Sequence, residues 1–160
     1  MDKNIFKILK DRVECLSKKH YNDIFPDFIC LQTEFAVSGT PVSYEDRLKL
    51  QYRPIREGGI WGKAWDSAWF HLTGTVPESF AGKEICLRLN SNSELMVFDG
   101  QGIPLCGLTG RSIFDTQYFK DCCPLKTMNP GERIDVWCEA AANGLFGIEL
   151  PSNTPCPAKK

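Results

Sequence analysis

The sequence predicts a mainly β protein, an antiparallel β-sandwich or jelly roll, with an α-helix at its N-terminus. Two observations predict the sheets: apolar and polar residues alternate in several short runs, and Pro and Gly turns separate these runs at spacings of roughly ten residues. A third observation predicts the helix, because apolar residues recur every three to four positions over residues 3–19, with Lys and Arg between them.

Length and composition limit the chain to one domain with short appendages. It has 160 residues, of which 42% are hydrophobic and 24% charged, the ordinary balance of a globular protein. We expect the amphipathic helix over residues 1–20, the β-sandwich over 21–150, and a linker or disordered tail over 151–160, where three Pro occur without periodicity. The formal net charge of −1 gives no electrostatic reason for a nucleic-acid or membrane partner.

The strands are expected in six strong segments and one weaker one. The weaker segment is Ile29–Val37, whose partial alternation favours a strand at a sheet edge. The strong segments lie near residues 67–75, 84–90, 94–99, 111–119, 133–139 and 145–150. In the fifth of these, the alternation predicts Asp135 and Trp137 on the face opposite to Ile134, Val136 and Cys138.

Eight cysteines are spread along the chain, and none belongs to a Cys-x-x-Cys pair. The strongest zinc and redox signatures are therefore absent. Cys122 and Cys123 are adjacent and would bridge each other only with strain. We expect the cysteines to act as small buried hydrophobes in a reducing compartment. Because the N-terminus lacks a signal-peptide core and no apolar run could span a membrane, we expect the cytoplasm.

The sequence predicts no catalytic residue and no metal ligand. A Ser-His-Asp site would need one of the two histidines, His20 and His71. His71 lies within a predicted strand, where a histidine on a polar face is the alternative to a catalytic base. The chain has no nucleophile elbow, no phosphate-binding loop and no His-Glu-x-x-His motif.

Three tryptophans at a spacing of four, Trp61, Trp65 and Trp69, are the strongest candidates for a binding surface. Indole faces can stack on the apolar C–H faces of sugar rings. Trp61 and Trp65 precede the strand, so we expect them on a loop surface, in a carbohydrate site completed by Asp66 and His71. Trp69 is expected in the core. The alternative is that at least two of the three are core residues, because large aromatics supply much of the burial energy of a sandwich.

An ordered set of short motifs runs along the middle of the chain. Its members are Trp61-Gly62, Trp69-Phe70, Val76-Pro77-Glu78, Ala81-Gly82-Lys83, Ile85–Leu89, Asp99-Gly100, Pro104, Gly107-Leu108 and Pro130-Gly131-Glu132. This order resembles the N-terminal β-domain of glycoside hydrolase family 38 α-mannosidases. It is also similar, more loosely, to the sugar-binding jelly-roll domains of β-galactosidases and β-glucuronidases. Both resemblances imply a galactose-binding-domain-like β-sandwich.

The resemblance implies that this chain is the non-catalytic N-terminal domain of a longer enzyme. In the family, a separate α/β domain downstream carries an Asp nucleophile and a divalent metal, usually zinc, bound partly by a His-x-Asp motif. Here His20 precedes Tyr-Asn and His71 precedes Leu-Thr, so the motif is absent. We therefore expect no cofactor in this chain. The expected partners are the catalytic domain, mannosides and further copies of the protein.

Two alternatives stay open at this point. The first is a stand-alone carbohydrate-binding module that uses Trp61, Trp65 and the neighbouring loops. The second is a protein-interaction or thiol-metal module that uses the N-terminal helix and the cysteines.

Overall fold

The structure, a computed structural model, describes residues 3–25, 27–110, 119–125 and 127–142. The chain divides into two compact units after Cys30. The described part of the first unit is a helix, α1 (Lys3–Ile24), whose apolar side chains from Ile5 to Leu16 are exposed. It confirms the helix predicted over residues 3–19 and continues beyond it. In the described part of the chain, no helix combines the length and the apolar character that a membrane crossing needs.

The second unit is built from antiparallel strands. Those described are β1 (Gln32–Ser38), β2 (Arg53–Pro54), β3 (Ser67–Thr75), β4 (Cys86–Arg88), β5 (Glu94–Asp99), β6 (Pro104–Thr109), β7 (Cys122–Pro124) and β8 (Arg133–Ala141). Six of them form one sheet in the order β2-β1-β3-β8-β5-β6, while β4 and β7 form a second sheet. The mainly β, antiparallel fold with an N-terminal helix is therefore confirmed.

The strongest alternating segments became strands at the predicted places. The segments 67–75 and 94–99 are confirmed as β3 and β5, and β8 extends two residues past the predicted 133–139. The prediction of a long strand over 84–90 was wrong at both ends, because only the three residues of β4 pair with β7. The segment 145–150 and all of 111–119 except Phe119 lie outside the described residues.

The edge position predicted for Ile29–Val37 was wrong. The strand at this place, β1, lies inside the sheet between β2 and β3. The two residues of β2 pair with Glu34 and Phe35, so that β2, and not β1, is the strand at this edge of the sheet. Because β2 has only two residues, it shows no alternating pattern in the sequence. The predicted limits of the domains, at residues 20 and 150, stay predictions.

The hydrophobic core lies between the two sheets. Phe70 and Leu72 of β3 and Val136 of β8 pack in one cluster with Leu87 of β4 and Cys123 of β7. The alternation predicted for β8 is confirmed, because Ile134, Val136 and Cys138 are in this core while Trp137 contacts His71 and Tyr52 elsewhere. We call the side of the large sheet that carries Trp137 its outer face.

A second layer of aromatic side chains covers part of the outer face. The segment 39–52, which includes a short 3-10 turn (Asp46–Lys49), folds across β3 and β8. Tyr44 contacts the rings of Trp69 and Phe98, and Tyr52 meets Trp137 edge-on at 5.8 Å between ring centroids. Trp69 is buried, as predicted, but it lies in this outer layer, where its Nε1 donates to the Val42 carbonyl at 2.9 Å.

Candidate functional site

Residues 61–66 form a tight loop that enters β3 and is tied to the end of β8. Within the loop, the Asp66 carboxylate accepts a hydrogen bond from the Lys63 amide at 2.7 Å. Between loop and strand, the Trp65 amide donates to the Ala142 carbonyl at 2.7 Å, and the Ala142 amide donates to the Asp66 carbonyl at 2.8 Å. These bonds hold the loop in one conformation beside the last described residue of the chain.

The loop displays the side chain of Trp65 to solvent. Trp65 is 60% exposed, and its φ of 73° lies in the left-handed region, which a bulky residue adopts only at a cost in free energy. The backbone bonds to Ala142 supply the constraint that keeps it there. The predicted surface position of Trp65 is confirmed, and Asp66 lies next to it with one carboxylate oxygen bound to the Lys63 amide. Sugar binding by these two residues stays a prediction.

The surface position predicted for Trp61 was wrong. Trp61 is 4% exposed, meets the Phe70 ring edge-on at 5.4 Å, and donates from Nε1 to the Ser91 carbonyl at 3.2 Å. Gly62 has a φ of 55° and reverses the chain between the two tryptophans, so that Trp61 enters the core while Trp65 points away from it. Neither indole face of Trp61 is open to a sugar.

His71 lies on the outer face of β3, away from the Trp65 loop. It lies four positions after the start of β3 at Ser67, a distance of about 13 Å along a strand. Its ring stacks on Trp137 at 3.9 Å between centroids, and its Nε2 lies 3.0 Å from the Asp135 carboxylate. Among the described residues, no Ser, Thr or Cys side chain hydrogen-bonds to it. His71 is thus held as a structural group, and the four predicted site residues do not form one site.

Arg47 is a buried charged residue that the sequence did not single out. It is 7% exposed and lies between two rings, its guanidinium carbon 3.4 Å from the Tyr44 centroid and 4.2 Å from the Trp137 centroid. Its Nη1 donates to the Tyr44 carbonyl, whereas its Nε is buried with no hydrogen-bond partner. Residues 39–52 show no periodicity, so nothing in the sequence distinguished this arginine from an ordinary surface cation.

The phenols around Arg47 stay protonated at physiological pH. Burial raises the pKa of Tyr52 to about 12, and the nearby Arg47 cation offsets this only in part. Burial likewise raises the pKa of Tyr44. Each hydroxyl donates a hydrogen bond, from Tyr52 to the Arg47 carbonyl and from Tyr44 to the Asp99 carbonyl, both at 3.1 Å. This network fixes the 39–52 segment on the sheet and offers no group poised for proton transfer.

The described cysteines are free thiols that range from exposed to buried, and Cys86, Cys106 and Cys122 are half-buried. Cys15 and Cys30 are exposed, so the prediction of burial was wrong for them, because both lie in or next to the exposed helical unit. Cys123 and Cys138 are buried as predicted, and burial raises the pKa of both thiols and that of Cys86. Such thiols carry little thiolate and are poor nucleophiles.

The zinc ion of the mannosidase family does not fit the described part of this chain. Nowhere in that part do three His, Cys, Asp or Glu side chains come together in a way that could hold a metal ion. Of the two histidines, His71 is engaged by Asp135. The expectation that this chain holds no cofactor stays a prediction.

Comparison with known proteins places the fold in a family. A family model described as "Alpha-mannosidase, jelly roll domain" matches residues 30–159. Alpha-mannosidase 2C1 of Homo sapiens is 32% identical over 119 residues, which are 71% of this chain and 11% of that protein. Alpha-mannosidase G of Dictyostelium discoideum is 29% identical over 107 residues, which are 67% of this chain and 10% of that protein.

The chain thus spans about a tenth of the length of these curated relatives. The family match extends over most of the chain and agrees with its antiparallel sheets. The predicted resemblance to the β-domain of α-mannosidases is confirmed, and so is the jelly roll. This chain therefore belongs to the family of alpha-mannosidase jelly roll domains.

Proposed function

We propose that this chain is the non-catalytic N-terminal domain of a glycoside hydrolase family 38 α-mannosidase, and that it packs against and supports the catalytic part of that enzyme. One observation carries the proposal: the jelly roll family match covers residues 30–159, whereas each relative is in total about ten times as long as the part that matches this chain. Mannoside hydrolysis then belongs to the part of the enzyme that lies outside this chain.

The chemistry of the described residues supports a non-catalytic role. The family's hydrolysis uses an Asp nucleophile and a metal site with a His-x-Asp motif, which this sequence lacks. His71 is stacked on Trp137 and engaged by Asp135, which leaves it as a structural group. The metal chemistry of the family would belong to residues of the downstream domain, and we propose none for the residues described here.

The experiment is to read the transcript beyond codon 160 and to assay both proteins. We expect an open frame that encodes a His-x-Asp motif, and we expect its complete product to hydrolyse 4-nitrophenyl α-mannoside. The 160-residue chain alone should show no hydrolysis, with or without added zinc. In the complete product, His71→Gln should leave the rate unchanged once circular dichroism shows it to be folded. A stop at codon 161, or hydrolysis by the chain alone, would contradict the proposal.

A stand-alone carbohydrate-binding module is the second candidate, and the exposed indole of Trp65 beside Asp66 favours it. Stacking of a sugar ring on this indole would change its fluorescence. The test titrates the chain with methyl α-mannoside and compares Trp65→Ala, since Trp61 and Trp69 are buried. A saturable change that Trp65→Ala abolishes would support the module. No change up to millimolar sugar would leave the supporting-domain role as the better account.

We also propose that the enzyme works in the cytoplasm and as a homo-oligomer. The free cysteines of the described part support a reducing compartment. Fractionation of cells that express the complete reading frame, followed by light scattering of the purified protein, would test both points. Recovery in a secreted or membrane fraction, or a monomeric mass, would contradict them.

A further inference from the structure

Part of the outer face of the large sheet is open. In the register of β8, β5 and β6, Met96 lies between Glu139 and Gly107. Leu105 is the extra residue where the pairing of β5 and β6 shifts after Val97. Met96 and Leu105 are each 40% exposed, Gly107 is exposed, and Glu139 is half-buried. We call these four residues the Met96 face.

Glu139 places within this face a carboxylate that has no partner among the described residues. It lies between Trp69 of β3 and Met96 of β5 in the register of the sheet. Among the described residues, no side chain or amide donates a hydrogen bond or forms an ion pair with its carboxylate. Burial raises the pKa of Glu139, so the surroundings disfavour its charge. A half-buried anion in apolar surroundings gains most from a cation that approaches it in a water-poor contact.

Gly107 leaves the Met96 face without a side chain at a position where the fold itself does not require a glycine. A Cβ atom at this position would meet only the Leu95 carbonyl oxygen, at an ordinary 3.8 Å, and the φ of Gly107 is not in the left-handed region. Other residues would fit here without strain, and a glycine inside a strand weakens it. A glycine inside a strand often marks a bulge, a bend or the close approach of another backbone or a ligand, and here the bulge lies at Leu105 while Gly107 itself is exposed.

We propose that the Met96 face docks the polypeptide that follows this domain in the parent enzyme, through an apolar surface that presents one Arg or Lys to Glu139. The proposal rests on the proposed function. About nine-tenths of each relative lies outside the matched region. In the proposed parent enzyme, a large polypeptide would therefore be covalently joined to this domain. The Glu139 carboxylate, which no described residue neutralises, selects a cation, and the exposed Met96 and Leu105 select apolar neighbours.

Two other occupants fit the face less well. A two-fold contact with a second copy would bring two Glu139 carboxylates into one apolar interface, which is unfavourable for like charges. A sugar would find no aromatic ring among the four residues of the Met96 face. Phe98, two residues along β5 on the same side, is half-buried and its ring packs against Tyr44 and the buried Trp69.

Oxidation of methionine tests the proposal with a probe that the chain already carries. Met96 is exposed in this domain, whereas Met128 is buried and serves as an internal control. Both the 160-residue chain and the product of the complete reading frame are treated with dilute hydrogen peroxide, and sulfoxide at each methionine is followed by mass spectrometry. Because oxidation follows exposure, Met96 should react at least about tenfold more slowly in the complete protein, and Met128 at the same rate in both.

Two variants of the complete protein identify the contact. Glu139→Lys places like charges together and should weaken docking by about 30-fold or more, which would restore fast oxidation of Met96. Gly107→Gln adds a neutral side chain that the fold accepts but the interface does not, and it should act in the same direction. Glu34→Gln, at an exposed glutamate of β1, is the matched control and should leave Met96 protected. Slow oxidation of Met128 in each variant confirms that the domain is folded.

The outcomes separate this inference from the proposed function. Equal oxidation of Met96 in both proteins, or protection that neither variant relieves, overturns the docking face even where the complete protein hydrolyses mannosides. Protection relieved by both variants in a protein that hydrolyses no mannoside supports the face and overturns the proposed function. Protection that depends on protein concentration identifies a second copy and overturns the occupant proposed here. A reading frame that ends at residue 160 overturns both proposals.

Discussion

At the scale of single residues, Arg47 contributes more through packing than through its charge. Its guanidinium lies between the rings of Tyr44 and Trp137, and only its Nη1 has a described hydrogen-bond acceptor. The cation–π contacts and the aliphatic stem stabilise the 39–52 segment, whereas the buried, unpartnered Nε costs free energy.

We therefore predict different effects for two substitutions of Arg47. Arg47→Ala removes the packing and should lower the free energy of unfolding by about 2–3 kcal/mol. Arg47→Met keeps most of the apolar contact and removes the unpaired donor, so it should cost less than about 1 kcal/mol. Urea unfolding followed by Trp fluorescence measures both values. Equal losses for Met and Ala would mean that the charge, and not the packing, stabilises the segment.

Gly102 combines a left-handed backbone with a close neighbour. Its φ is 86°, and a Cβ atom there would lie 2.6 Å from Cε1 of Tyr44, whose hydroxyl is fixed to the Asp99 carbonyl. Gly82 has a similar φ of 70° but open space around it. Gly82→Ala should therefore cost only the backbone penalty of about 1–2 kcal/mol. Gly102→Ala should cost a further 1–3 kcal/mol, roughly, from overpacking. Thermal unfolding measures the loss of stability in each variant. Equal losses would mean that the Tyr44 ring moves aside without a cost in free energy.

Glu139 makes stability depend on pH. Burial raises its pKa in the folded state above the ordinary value, so the unfolded chain releases this proton first as pH rises. The folded state therefore loses stability relative to a Glu139→Gln variant as pH rises above the ordinary carboxyl pKa, and the difference becomes constant above the folded pKa. Denaturant unfolding at about pH 4 and about pH 7 should show the larger advantage of the Gln variant at about pH 7. An advantage that is the same at both pH values would contradict this account.

The sequence predicted some of these residues and missed others for identifiable reasons. Trp69 was expected to be buried because it lies within an alternating strand. Trp61 was misplaced because its direction depends on the φ of Gly62, which no pattern of residue types displays. Arg47 was missed because its burial results from contacts with Trp137, ninety positions along the chain. The openness around Glu139 depends on which strands become neighbours, and pairing partners cannot be deduced from one alternating run.

At the scale of elements, the predictable strands are those with a regular alternation between two turns. This holds for β3, β5 and β8, whereas β6 begins with Pro104 and contains Gly107, so its pattern is broken. The three residues of β7 carry no pattern at all, and they become a strand because they pair with β4. Short strands that exist through tertiary contacts are therefore the ones that sequence reasoning missed.

In the 61–66 loop, the exposed Trp65 side chain should contribute little to stability, whereas the buried Trp61 side chain should contribute much. Trp65 is exposed and strained, so Trp65→Asn, which accepts a left-handed backbone, should leave the free energy of unfolding within about 1 kcal/mol of the original or raise it. Trp61→Ala in the same loop should cost about 3–5 kcal/mol, because that indole is in the core. A loss of several kcal/mol for Trp65→Asn, measured by urea unfolding, would mean that the indole packs on the domain.

At the scale of the whole molecule, the two compact units predict independent folding. The β unit begins at Leu31, which packs against its core. We expect a chain that starts at Leu31 to unfold cooperatively, with a Tm within about 4 °C of that of the 160-residue chain, which corresponds to less than about 1 kcal/mol. Differential scanning calorimetry measures both. A broad transition or a much lower Tm would show that residues 1–30 contribute to the stability of the β unit.

The position of β8 between β3 and β5 has a consequence for synthesis of the protein. Among the described strands, β8 alone joins the group β2-β1-β3 to the group β5-β6. In a nascent chain whose β8 is still inside the ribosome, the two groups of strands are separate, and β3 and β5 each have an edge without a hydrogen-bonded neighbour. Unpaired strand edges can pair with the strands of other chains. A premature stop codon before Arg133 should therefore yield insoluble aggregates rather than a partly folded, soluble domain.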